Sequence, residues 1–108
     1  MKAHERRAEA RVPITRRGTL GAQSARFPCL IQNFSSKGFL IMCIEKVPIG
    51  EILELKSELS PQRFLQCKVE VRHVTDDCLG TKVMEMSEFG LMLCRQLIDE
   101  HISYKGFR

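Results

Sequence analysis

Tryptophan is absent from this chain of 108 residues, tyrosine occurs once, and aromatic residues make up only 6%. No stripe of aromatic side chains is evident that would serve as a base-stacking platform. No apolar run approaches the roughly 20 residues that cross a bilayer, so membrane insertion is not expected. The opening segment, MKAHERRAEAR, is charged and lacks an apolar h-region, so it does not read as a secretory signal. The five cysteines (Cys29, Cys43, Cys67, Cys78, Cys94) form no CxxC pair, and the three histidines (His4, His73, His101) show no ligand-like spacing with them. A metal site is therefore not expected, and neither is a cofactor. Four of the five thiols fall in apolar patterns, where cysteine behaves as a small hydrophobe, and a reducing cytoplasm is the simplest setting. The chain also lacks a recognisable nucleophile with its base, a catalytic carboxylate pair or a metal cluster, which argues against an enzyme. Internal repeats and low-complexity segments are missing too.

What is present is a single domain's worth of residues, 44% hydrophobic and 28% charged, with a net charge of +4. The charge is uneven. Residues 1–26 hold seven Lys/Arg against two Asp/Glu, whereas residues 27–108 hold ten against eleven. A basic N-terminal segment on a nearly neutral body points to an anionic partner at that end, or to a solvated tail.

Residues 1–11 read as an arm, polar and basic with no periodic apolar face. From residue 12 to 108 the signals are those of one folded unit. VPITRRGTLGA reads as a first strand with a kink near Gly18, followed by ARFPCLIQ and GFLIMCI. Pro48 and Gly50 interrupt the chain before EILELKSEL, and Ser60-Pro61 interrupts it again. CKVEVRHV alternates with Cys67, Val69 and Val71 on one face and charged residues on the other, the period of a half-buried strand. Asp76-Asp77 then turns the chain into LGTKVMEM. Short strands at this spacing, without crossover helices, predict an all-β class and a small antiparallel barrel or sandwich. The last segment predicts a helix over about 87–104: Ser87 suits the N-cap, and Phe89, Leu93, Cys94, Leu97, Ile98 and Ile102 share a stripe.

Two short constellations carry possible chemistry. Arg7 and Arg11, preceded by Arg6, are four residues apart and so lie on one side of the arm, helical or extended. Paired guanidinium forks suit phosphate oxygens and the O6/N7 edge of guanine. The second is QNFSSKGFLI, in which Asn33 and Ser35 are spaced to share one face of a strand end. Their side chains both donate and accept hydrogen bonds. Gly38 supplies either a positive φ or room for something to approach the backbone closely. Polar residues and a glycine are also what a plain turn requires. Neither Asn33 nor Ser35 is expected to contribute to the core, so replacing either should leave the fold largely intact.

In this order, 22 residues apart from Arg11 to Asn33, the pair RxxxR and NxSxxG resembles the signature of the PilZ domain, the bacterial receptor module for cyclic di-GMP. VEVRHV followed by LGTKVMEM, and the closing helix, are similar to that family's later elements. The resemblance implies a six-stranded antiparallel β-barrel with a flexible basic arm across one face and one C-terminal helix. It implies that Arg7 and Arg11 clamp guanine and phosphate while Asn33, Ser35 and Gly38 form the base-contacting turn. Arg72, on the outward face of a late strand, matches a position that often stacks on the ligand. Arg6, just before RxxxR, resembles the version that takes two stacked cyclic di-GMP molecules per chain. A receptor of this kind acts through a downstream protein that the sequence does not name. Two other readings compete: a basic β-barrel for single-stranded nucleic acid, disfavoured by the neutral body and the missing aromatics, and a protein-interaction module independent of any ligand.

Overall fold

The computed structural model of the chain describes residues 12–22, 25–35 and 37–106. Six strands form a closed barrel: β1 (Arg16–Ala22), β2 (Ala25–Phe34), β3 (Gly38–Met42), β4 (Ile52–Ser60), β5 (Arg63–Val74) and β6 (Cys78–Met86). Around the barrel the order is β1-β2-β3-β6-β5-β4, and every neighbouring pair is antiparallel. Helix α1 (Glu88–Gly106) follows. The expected all-β barrel with one C-terminal helix is the observed architecture. Among the described residues, no helix is long and apolar enough to cross a membrane.

The strands form where the side-chain period is two. In β4 and β5, Leu53, Leu55, Leu65, Cys67, Val69 and Val71 are at most 5% exposed, while the residues alternating with them face outward. Leu20, Ile31, Phe34 and Ile41 complete the interior from the other strands. Each such side chain contributes roughly 1.5–3 kcal/mol of transfer free energy on burial. Phe34 and Phe39 meet edge to face, centroids 5.4 Å apart at 81°, the geometry that the aromatic quadrupole favours.

The first strand begins later than its sequence pattern suggests. Residues 12–15 lie outside β1, and Val12 instead bridges to Phe34 of β2, donating to its carbonyl at 3.0 Å and accepting from its N–H at 2.9 Å. No kink is found at Gly18, which sits within β1. Its glycine serves the packing: a Cβ there would lie 2.6 Å from the Lys56 carbonyl oxygen.

The connection from β3 to β4, residues 43–51, crosses from β3 past two strands because β6 and β5 lie between them in the barrel. Cys43 N–H donates to Asp77 O (2.9 Å), Gly50 N–H to Val71 O (2.8 Å) and Val71 N–H to Glu51 O (3.0 Å), so the connection is anchored on the β5–β6 end. Val47 is buried under it. The turn at Asp76-Asp77 closes through Thr75 N–H to Cys78 O at 2.9 Å.

Helix α1 starts as its cap residue dictates. The Ser87 hydroxyl accepts from Gly90 N–H at 3.0 Å, satisfying a donor of the first turn. Leu93, Cys94 and Ile98 are buried and Leu97 partly so, but Phe89 and Ile102 are 58% and 45% exposed, against the expected stripe. The helix rests mainly on β5, so a narrow contact covers its middle and leaves both ends of the stripe open. Gly90 is buried, and a Cβ on it would stand 2.9 Å from Met86 Cγ and 3.4 Å from Leu65 Cδ1. Its helix-propensity cost is offset by that close approach.

Candidate ligand-binding site

The β2–β3 turn is built on one hydroxyl. Ser35 is 2% exposed. Its Oγ donates to Gly38 O at 2.9 Å and accepts from Gly38 N–H at 3.0 Å and Lys37 N–H at 3.2 Å. Ser35 N–H donates to Gly38 O as well, at 3.1 Å. One donor and two acceptor sites exhaust a serine hydroxyl, so this side chain is spent on the turn. Gly38 lies against β6, and a Cβ there would stand 2.1 Å from the Thr81 carbonyl oxygen. The close approach that this glycine permits is therefore that of a strand.

Asn33 behaves differently. A bulge in β2 between Ile31 and Asn33 breaks the two-residue alternation, so Phe34 and Ser35 are both buried while Asn33 stays half-buried at the rim. Its side-chain amide makes no hydrogen bond among the described residues. A prediction follows from this contrast. Ser35→Ala should lower the stability of the ligand-free protein by about 1–3 kcal/mol, the cost of stranding buried backbone partners. Asn33→Ala should leave the ligand-free urea melt where it was. Coincident melts for both variants would show that the hydroxyl is not holding the turn.

Asn33, Ser35 and Gly38 border an open cavity of about 670 Å³, and Arg72 of β5 borders it from the opposite side. The structure thus brings together four of the residues that the sequence singles out. Arg6, Arg7 and Arg11 lie outside the described residues. The chain following them enters the described fold at Val12, which is hydrogen-bonded to Phe34 between Asn33 and Ser35.

Other residues at the cavity have no motif to mark them: Lys37, His73, Thr81 and Lys82. Thr81 is buried and tied to β3, donating to Phe39 O at 2.9 Å and accepting from Phe39 N–H at 3.3 Å. Lys37, Arg72 and Lys82 supply three cations, and among the described residues no carboxylate residue borders the cavity. The Arg72 guanidinium stands 3.8 Å from Glu70, both on the outer face of β5. The near-neutral charge of residues 27–108 hides this local excess. Conversely, Arg16 and Arg26, counted in the basic N-terminal segment, bond to Leu59 O (2.5 Å) and to Glu54 (3.0 Å) respectively. The only signal that would have revealed the cationic wall is strand pairing, since Lys82 stands in register with Gly38 and with Glu70.

Cys78 also borders the cavity, and burial followed by the neighbouring Asp77 raises its pKa. That direction disfavours the reactive thiolate. All five cysteines are free.

The fold is thus a closed antiparallel barrel with a cationic cavity beside a polar turn. The chain belongs to the PilZ domain family, whose model matches residues 5–100; it is a family of cyclic di-GMP-binding domains, receptor modules rather than enzymes. The fold is similar to that of the inhibitor of motility MotI/DgrA from Bacillus subtilis, with a TM-score of 0.81 and 16% identity, covering 91% of this chain and 52% of that one. The chain thus spans about half the length of that protein. It is also similar to the PilZ domain of CeSA from a cellulose-synthesizing bacterium, with a TM-score of 0.68 and 10% identity, covering 84% of this chain and 96% of that one. No curated protein is similar to it by sequence.

Proposed function

We propose that this protein is a receptor for cyclic di-GMP that binds the messenger between residues 1–11 and the cationic cavity and passes the signal to a protein partner. The observation that carries the reading is the Val12–Phe34 bridge. It ties Val12, the residue that follows RxxxR in the sequence, to the strand end whose Asn33 lines a cavity walled by Lys37, Arg72 and Lys82. In this reading Arg7 and Arg11 hold guanine and phosphate by bidentate hydrogen bonds. Asn33 reads a base edge, and the Arg72 guanidinium offers a stacking face. Ser35 and Gly38 hold the turn in shape. Ordering of residues 1–11 over the barrel changes the surface offered to a partner, which is how a domain without catalytic groups signals.

Calorimetry with cyclic di-GMP tests the reading. Arg7→Ala and Arg11→Ala should each weaken binding by roughly ten- to several-hundred-fold, the effect of losing one desolvated bidentate charged contact. Wild-type affinity in Arg11→Ala would refute the assignment. Tight binding of single-stranded nucleic acid without cyclic di-GMP binding would replace it with a different class of function.

The same titration reads the stoichiometry. Two cyclic di-GMP molecules stacked together bring four phosphate charges into one place, and Arg6, Arg7 and Arg11 with Arg72 offset that repulsion. Two ligands per chain are expected, with affinity falling as salt rises. Arg6→Leu should move the ratio towards one. A 1:1 end point for the wild-type protein at ligand excess would contradict the two-ligand arrangement alone.

A further inference from the structure

Lys82 occupies a distinctive position in the cavity wall. Strand pairing sets it directly opposite Gly38, the glycine of the turn motif, so its side chain leaves the backbone beside that turn. Val83 N–H donates to the Lys37 carbonyl at 2.7 Å, which brings Lys37 alongside the same stretch of β6. One lysine of the β2–β3 turn and one of β6 therefore border one cavity, and among the described residues no carboxylate residue lies on its wall. Like charges brought to one cavity wall repel each other.

The carboxylate in register with Lys82 is otherwise engaged. Glu70 stands in register with Lys82 across β5 and β6. Its ion pair, however, is made with Arg72, two residues along its own strand. No ion pair or hydrogen bond holds the Lys82 ammonium among the described residues. The side chain is exposed, so it has no packing role.

From this arrangement we infer that Lys82 is the barrel's own phosphate contact, a determinant of affinity that acts beside Lys37 and independently of the arginines of residues 1–11. The inference rests on the receptor reading above and deepens it. Its chemistry is that of a compact ammonium set against a phosphodiester oxygen, a charge-assisted contact that does not require a planar fork. Because the ammonium is exposed, the contact depends on ionic strength.

The test is calorimetry with cyclic di-GMP on the full chain, comparing wild type, Lys82→Gln and Lys82→Arg at 50 and 500 mM NaCl (about 14 Å and 4 Å of screening length). At low salt, Lys82→Gln should bind roughly five- to tenfold more weakly, and Lys82→Arg should stay within about twofold of wild type. At high salt the gap between wild type and Lys82→Gln should shrink, which loss of a merely structural residue would not produce. The ligand-free melts of all three should coincide. Equal low-salt affinity for wild type and Lys82→Gln would overturn the inference while leaving the receptor reading intact. So would a Lys82→Arg protein as weak as Lys82→Gln. A wild-type protein that takes up no cyclic di-GMP under either condition would instead refute the receptor reading, and this inference with it.

Discussion

Gly38→Ala should unfold or severely destabilise the ligand-free protein. The Cβ it adds would sit 2.1 Å from the Thr81 carbonyl oxygen and 3.2 Å from its carbon. Both are backbone atoms of the paired strand, so no side-chain rotation relieves the overlap. β3 must move away from β6 along a register that runs from Gly38–Lys82 to Met42–Cys78. It must also strain the 2.7 Å bond from Val83 N–H to Lys37 O and the Ser35 bonds that converge on Gly38. Overpacking of this kind costs about 1–3 kcal/mol, and more where the backbone is the obstacle. Gly50→Ala is the informative comparison. Gly50 has φ of +97° but nothing within 4 Å of an added Cβ, so that variant should lose only the modest cost of an unfavourable backbone conformation, about 1 kcal/mol. Urea melts of the two variants without ligand would rank them. A Gly38→Ala midpoint equal to that of wild type would show that the motif glycine is not required by strand packing. Any loss of binding would then belong to the ligand.

Stability should fall steeply as pH rises above about 9. Burial pushes the thiols of Cys29, Cys67 and Cys94 up from 9.0 to about 12, and nearby Cys43 and Cys94 add to the effect at Cys29 and Cys67 respectively. The sign follows from proton counts. Above pH 9 the unfolded chain loses these three protons while the folded chain keeps them, so the unfolded state binds fewer protons and stability decreases with pH. Below pH 9 the thiols are protonated in both states and have no effect. Each shift of three pH units corresponds to about 4 kcal/mol between pH 9 and 12. Even one such loss is a large fraction of the stability of a typical domain, about 5–15 kcal/mol. Urea midpoints between pH 8 and 11 should therefore decline sharply. Cys94→Ala should flatten the decline, both by removing its own thiol and by easing the shift of Cys67. An unchanged slope in that variant would mean that the Cys94 thiol is not protected in the folded state.

The local grammar of the chain was enough for the strands and the helix. Cys67, Val69 and Val71 alternate inward in β5 as their spacing requires, Ser87 caps α1, and the Asp76-Asp77 turn closes where two acidic residues interrupt the apolar pattern. These features depend on neighbours within a few residues, so composition and period determine them. Belonging to the PilZ family was legible for a similar reason, since RxxxR and NxSxxG are short and ordered along the chain. Where local period met a tertiary demand, the demand prevailed. Val12 leaves the first strand to bridge Phe34, a bulge keeps Asn33 at the rim while Ser35 is buried, and Phe89 and Ile102 stay exposed because α1 rests on a narrow part of β5.

The division of labour within the turn was decided only by the closed barrel. Asn33, Ser35 and Gly38 read alike from sequence as ligand-facing residues. Pairing β3 with β6, more than 40 residues away, commits Gly38 to Thr81 and leaves Ser35 to hold the turn while the Asn33 amide stays open. The cationic wall arises in the same way. Lys37, Arg72 and Lys82 are scattered through a stretch whose charges nearly cancel, and only the order β3-β6-β5 brings them to one cavity. Net charge is a sum over sequence and carries no information about distance. The field a ligand meets depends on distance, and in this chain distance is fixed by hydrogen-bonded pairs between strands remote in sequence.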